Sequence, residues 1–243
     1  MENTVLAVIS RQMNIQREMD AVANNIANLS TDGFKNERVR FAKYLIDIGN
    51  SQTLSLVKDV GVIRDFSDGP IRGTGNPFDL AIRGEGFFLI ETQNDGIKYT
   101  RSGRLHFDPI GTLSNADGLP ILGTDDLPIV AFPGDTSLII DKNGRVSSES
   151  GVLGRLALVS FEDLSKLVKF GSGLYETSEE PIVAEGATIL QGMLEGSNVE
   201  PITEMTRMIT LLRSYQGSQT LGNEEHDLRR KAISVLGSVN LSA

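Results

Sequence analysis

The stretch VLAVISRQMNIQREMDAVANNIANL, Val5 to Leu29, decides the fold. No glycine or proline interrupts it, so a long helix is permitted. Val5, Val8, Gln12, Ile15, Met19, Val22, Ile26 and Leu29 recur at alternating steps of three and four, the period of helices that pack lengthwise. Leu6, Ile9 and Met13 add a second apolar stripe in the first half, so one partner helix would leave apolar surface wet. At 1.5 Å per residue a helix over residues 3–31 is about 45 Å long. Thr31-Asp32-Gly33 supplies the stop signal, glycine being able to take a left-handed cap. Asparagine is a poor helix former. The group Asn24, Asn25 and Asn28 therefore reads either as a solvated face at a weak helix end or as register-setting hydrogen bonding to neighbouring helices.

The far end of the chain mirrors this pattern. Over residues 198–240, Ile202, Met205, Ile209 and Leu212 form a stripe of the same period, widened by Met208, Leu211 and Tyr215. Asn198 is expected to cap this helix, and Pro201 fits its first turn. Between the two helices the period becomes two. Twenty of the 25 glycines lie between Gly61 and Gly196, and short alternating runs such as Phe78–Ile82 and Phe87–Ile90 are separated by turns. This spacing predicts antiparallel hairpins. The expected fold class is α+β: long N- and C-terminal helices pairing as a coiled coil, with a central β-rich, antiparallel domain. The expected divisions are 1–35 for the N-terminal helix of an α-helical core domain and 36–75 for an extended connecting segment. Residues 76–196 would form the β-rich central domain and 197–243 the C-terminal helix that pairs with the first. A lone pair of helices is marginal, and both stripes are wider than one partner needs. The termini are accordingly expected to pack against other molecules.

Composition narrows the chemistry. The chain has 243 residues, a net charge of −9, no cysteine, no tryptophan and two histidines. A disulfide framework, a thiolate metal site and a cysteine nucleophile are excluded. His106 and His226 stand apart without histidine neighbours, so no multi-histidine metal centre is expected. The acidic balance lacks a nucleic-acid footprint. The start of the chain lacks the positive, apolar pattern of a secretory leader, so the expectation is a cytoplasmic protein or one exported without a cleaved signal peptide. Gly73-Thr74-Gly75 and Gly84-Glu85-Gly86 read as turns, since neither continues as a phosphate-binding loop. Adjacent carboxylates such as Asp125-Asp126 and Glu179-Glu180 read as surface charge. No catalytic constellation, cofactor or small-molecule substrate is expected.

Four longer stretches carry a resemblance. ANNIANLSTDGFK (Ala23–Lys35) and LEGSNVEPITEMTRMITLLRSYQ (Leu194–Gln216) resemble the N- and C-terminal signatures of flagellar rod and hook proteins. GNPFDLAIRGEGFF (Gly75–Phe88) and YTRSGRLHFDPIGTLSNADGLPILG (Tyr99–Gly123) resemble the middle of the same family, in the same order. The length, and DFSDGPIRGTGNPFDLAIRGEGFF (Asp65–Phe88), look most like proximal-rod members. Distal-rod members have a longer stretch where this chain has only Asn36–Val60. Gly217-Ser218 departs from the small-then-asparagine pair that often follows the tyrosine-glutamine step.

The resemblance implies a structural protein, not an enzyme. It implies passage through the flagellar type III export apparatus and addition to a helical tube that crosses the periplasm and transmits torque. Its partners would be proximal and distal rod proteins and copies of itself, with no nucleic acid. The terminal helices would form the inner layer. The expected assembly interface is Val5, Ile15, Met19, Val22, Asn24, Asn25, Ile26, Asn28, Leu29, Gly33 and Phe34. From the second signature it takes Asn198, Val199, Ile202, Met205, Met208, Ile209, Leu212 and Tyr215. The alternatives are a distal-rod subunit and, from another class, a periplasmic β-rich binding module with helical tails.

Overall fold

The computed structural model describes residues 2–47, 53–92, 95–135 and 137–239. The chain divides into two compact units: Met1–Ile26, Glu37–Ile63 and Glu200–Ala243 make the first, and Ala27–Asn36 with Arg64–Val199 make the second.

The first unit is helical, with one long strand pair. Helix α1 spans Glu2–Ala27 and helix α2 spans Pro201–Val239. Strands Glu37–Asp47 and Thr53–Arg64 pair with each other. In α2, Pro201 opens the first turn, where its missing N–H costs nothing, and Glu204 places a carboxylate near the positive end of the helix. The helices run antiparallel: Glu18 pairs with Arg207 at 3.7 Å, and Asn25 near the end of α1 bonds Glu204 at the start of α2.

The α+β class stands, but the coiled coil does not. Ile15, Val22 and Leu211 form a small buried cluster with Met19, Ile26, Met208 and Tyr215 against it. On α2 the inward positions are Glu204, Met208, Leu211, Tyr215 and Ser218. The stripe expected to face α1 points away from it: Ile202 is 82% exposed, Met205 50%, Ile209 52% and Leu212 40%. The inward row keeps a four-three spacing, but its ends are the buried carboxylate Glu204 and the buried hydroxyl Ser218. A coiled coil needs an apolar seam sustained over several heptads. Here it is interrupted by polar groups, and the wider apolar stripe was out of phase with it.

The second unit is the β-rich one. Its largest sheet has six strands in the order Val168–Gly171, Leu174–Glu176, Gly96–Thr100, Phe87–Thr92, Leu158–Ser160, Ile182–Val183. Every neighbouring pair is antiparallel. A three-stranded antiparallel sheet joins Gly151–Arg155, Arg145–Ser148 and Ile139–Ile140. Three two-stranded pairs complete the unit. Leu80–Arg83 pairs with Thr188–Gln191, Ile71–Gly73 with Met193–Glu195, and Leu105–Phe107 with Leu113–Asn115. The Glu162–Phe170 stretch holds one turn of 3-10 helix, Leu164–Lys166.

Both faces of the strand Phe87–Thr92 are covered, which explains its unbroken apolar run. Phe88 enters one buried cluster with Leu80, Ile82, Leu113, Ile121 and Leu156. Phe87 and Leu89 enter another with Tyr99, Phe161 and Tyr175. In the second cluster Phe66, Phe87 and Tyr175 meet edge to face at centroid distances of 5.4 to 6.1 Å, the geometry aromatic quadrupoles favour.

Candidate assembly interface

In the helical unit, the first signature acts through Asn25. Its side chain is fully buried. Asn25 Nδ2 donates to the Glu37 carbonyl at 2.8 Å, and the Glu37 N–H donates back to Asn25 Oδ1 at 2.9 Å. This reciprocal pair imitates one rung of a β-ladder, so the amide substitutes for a missing strand. Nδ2 also donates to Glu204 Oε2 at 3.2 Å. One residue thus joins α1, the strand Glu37–Asp47 and α2, and a buried polar group that bonds on every side fixes register. Asn24 Nδ2 donates to Glu37 Oε2 at 2.9 Å. Asn28 lies past the helix end, where its carbonyl accepts from the Thr31 N–H and its side chain from the Thr31 hydroxyl.

The remaining expected residues fall into three groups. Ile15, Met19, Val22, Ile26, Met208 and Tyr215 are brought together in the α1–α2 seam. Ile202, Met205, Ile209 and Leu212 form an exposed apolar row on α2, together on one face but away from that seam. Val5 belongs to α1, but its side chain lies outside the described residues. A shallow groove of about 460 Å³ runs over the helices, with Ile9, Met13 and Tyr215 among Gln12, Gln16, Arg17 and Asp20. Its apolar floor adds to the surface without a partner.

Leu29, Gly33, Phe34, Asn198 and Val199 lie in the β unit. Gly33 does not cap α1, which ends at Ala27. It sits six residues later with φ +69, and a Cβ there would come within 2.8 Å of the Arg101 carbonyl carbon. Both the backbone angle and the close approach require glycine. Asn198 does not cap α2. Its Oδ1 accepts from the Asn36 N–H at 2.7 Å, and its Nδ2 donates to the carbonyls of Asp65 at 2.8 Å and Ser67 at 3.1 Å. Three distant segments meet at this one amide. Phe34 is buried, with Lys169 Nζ 5.1 Å from its ring centroid, and Val199 is buried, its N–H donating to Ser197 Oγ at 3.3 Å.

Sequence reasoning missed the charges beneath these segments. Lys35 and Glu195 side chains are 0% and 1% exposed and meet at 2.6 Å. Lys35 Nζ also donates to the Ser67 carbonyl at 2.7 Å. Arg101 stands beside them, its Nη1 3.5 Å from Glu195 Oε2 and 3.4 Å from Asp68 Oδ1. Burial holds the Lys35 ammonium below its ordinary value. Glu195 opposes this and Arg101 reinforces it. The signal available in sequence was slight: one carboxylate after the apolar pair Met193-Leu194, and one lysine after Phe34. Both histidines are exposed. Among the described residues no group of three or more His, Asp or Glu side chains is placed to hold a metal ion. No described helix is long and apolar enough to cross a membrane.

Comparison with known proteins places these segments. The chain is 39% identical over 246 residues to the flagellar basal-body rod protein FlgF of Caulobacter vibrioides, covering 99% of this chain and 100% of that one. This chain belongs to the flagellar basal-body rod protein family. FlgF of Mesorhizobium japonicum is 30% identical over 241 residues, covering 98% of this chain and 99% of the relative. FlgG of Bacillus subtilis, another rod protein, is 31% identical over 257 residues, covering 93% of this chain and 96% of the relative. Three family models match in order: the flagella basal body rod protein over residues 7–35, the flagellar hook protein FlgE/F/G D1 domain over 81–148, and the flagellar basal body rod FlgEFG protein C-terminal region over 190–235. The two terminal matches contain Asn25, Lys35, Glu195 and Asn198.

Proposed function

We propose that this chain is a structural subunit of the flagellar basal-body rod, of the proximal type, that polymerises through its terminal helices and has no enzymatic activity. The observation that carries the reading is the exposed row Ile202, Met205, Ile209 and Leu212 on α2, in a chain that matches a rod protein from end to end. An apolar row of this size on a helix already packed on its other side calls for a protein partner. Neighbouring rod subunits, including copies of this chain, cover that row and the groove beside it. Val5 on α1 and Leu29 after it also meet neighbouring subunits. The assembled subunit forms part of a helical tube that crosses the periplasm, and the chain reaches that site through the flagellar export apparatus.

The distal-rod reading ranks second. Its support is the 31% identity to a FlgG protein. That alignment uses 257 positions to cover 93% of this chain, against 246 positions for 99% with FlgF, so it carries more insertions. The short Asn36–Val60 stretch favours the proximal type.

The test is Ile209→Asp, expressed in cells lacking the native chain. Ile209 is exposed, so the isolated chain should keep its stability within about 0.5 kcal/mol. The expected result is basal bodies without this subunit and loss of motility. Ile26→Asp should give the same loss with the β unit still folded. Normal rods built from the Ile209→Asp chain would overturn the reading.

A further inference from the structure

Residues 32–36 are held to the β unit almost wholly by polar contacts. Asp32 accepts from Arg72 Nη2 and Arg104 Nη2, each at 2.7 Å. The Gly33 N–H donates to the Glu195 carbonyl at 2.8 Å. Lys35 donates to Glu195 Oε1 and to the Ser67 carbonyl, and the Asn36 N–H donates to Asn198. Phe34 alone contributes a buried apolar side chain. None of the residues from Asp32 to Asn36 belongs to either apolar cluster of the unit. Removing this segment would leave both clusters intact.

The charges are arranged as an outer and an inner lock. The outer lock, Asp32 between two largely exposed arginines, is open to solvent and screened by salt. The inner lock is buried. Within it Lys35 and Arg101 share one fully buried carboxylate, Glu195, while Asp68 is 40% exposed. Arg101 Nε finds no acceptor among the described residues, and both of its Nη1 contacts are long. A buried network that is only partly satisfied depends on each member. Without Glu195, two buried cations would face each other with one wet counter-charge, and breaking a buried pair by removing one partner is strongly unfavourable. Lys35 relieves this by leaving. Glu195 is 160 residues away from Lys35 in the chain, in the stretch that leads into α2, so closure needs both signature segments in place.

We propose that residues 32–36 are a detachable polar strap, locked to the β unit by the buried Lys35–Glu195–Arg101 cluster and released as one piece when that cluster is broken. Opening exposes charge, backbone and one apolar side chain, Phe34, which belongs to neither apolar cluster, so the β unit stays folded. The segment that continues into α1 thereby has two states, one fixed and one free. If the rod reading holds, Lys35 and Glu195 are positioning residues: they set whether residues 32–36 are fixed or free during assembly.

Hydrogen exchange on the full chain tests this directly. The reporters are the strap amides of Gly33, Phe34 and Asn36, with Leu89, Tyr99 and Leu113 as core references. In Glu195→Gln the strap amides should exchange on the order of a hundredfold faster while the core references stay unchanged. Lys35→Met should loosen the strap less, because it removes a cation instead of stranding one. The double variant Lys35→Met/Glu195→Gln should fall well short of the product of the two effects, as coupled partners require. If Glu195→Gln does not fold, Asp32→Asn gives a second reading: a severalfold faster strap, with the difference from the native chain shrinking at high salt. Equal acceleration of strap and core, multiplicative single effects, or strap amides as slow as the core in every variant would each overturn the strap. These outcomes are independent of the rod reading. Native-like exchange in a chain that never enters basal bodies would count against that reading alone.

Discussion

In the β unit, twelve and eight buried apolar side chains gather in two clusters on either side of one strand, Phe87–Thr92. In the helical unit the described cluster has three such residues, with four more half-covered against it. Buried polar groups are placed differently in the two units. The helical seam depends on Asn25, which holds three elements at once, whereas the buried charges of the β unit, Lys35, Arg101 and Glu195, lie apart from its two apolar clusters. A unit with a large core can fold by excluding water. A unit with a small core needs directional bonds to choose its register and outside contacts to gain stability. The difference also separates the roles proposed for the two units: the β unit supplies a finished body, and the helices supply surface for neighbours.

Denaturation should expose this difference as two steps, with helical signal lost at lower urea than the protection of Leu89 and Tyr99. A single coincident transition would contradict the comparison. The largest mutational effect is expected from Phe88→Ala, about 3–5 kcal/mol, confined to the upper step. Asn25→Ala should follow at about 1–3 kcal/mol in the lower step, because the buried N–H and carbonyl of Glu37 both lose their partner. Val22→Ala removes two buried methyl groups from the same seam and should cost about 1.5 kcal/mol, read in the same transition. Asp32→Asn should cost less than about 1 kcal/mol of global stability, since both arginines remain largely solvated. An Asn25→Ala effect smaller than that of Asp32→Asn would remove the special role given to the asparagine.

Much of the architecture was legible before any coordinates. Long helices at both ends, the first free of glycine, and a glycine-punctuated β region between them follow from period and composition, and the helices are found at Glu2–Ala27 and Pro201–Val239. The family was also legible, because four long matches in order leave little room for chance. The phase of α2 was not. Its apolar residues cover more than half its circumference, so Ile202 and Leu211 look alike in sequence, and only the position of α1 distinguishes the buried row from the wet one. Asn198 precedes a helix in the pattern of a cap, yet its amide has three better partners from residues 36, 65 and 67.

Local chemistry accounts for what the sequence determined by itself. Glycine and proline disfavour helix interiors through their own backbone chemistry, so their clustering marks the β region even though α2 tolerates Gly217 and Gly222, and a four-three apolar period forms an amphipathic helix whatever it packs on. Tertiary structure alone decided which charges would be buried together. Lys35, Asp68, Arg101 and Glu195 are scattered over 160 positions and carry no shared motif. Each reads as an ordinary surface residue until the strands Ile71–Gly73 and Met193–Glu195 pair and close the backbone over them. A buried ion pair is a property of a place, set by desolvation and by which chain segments meet there, and no local pattern encodes it.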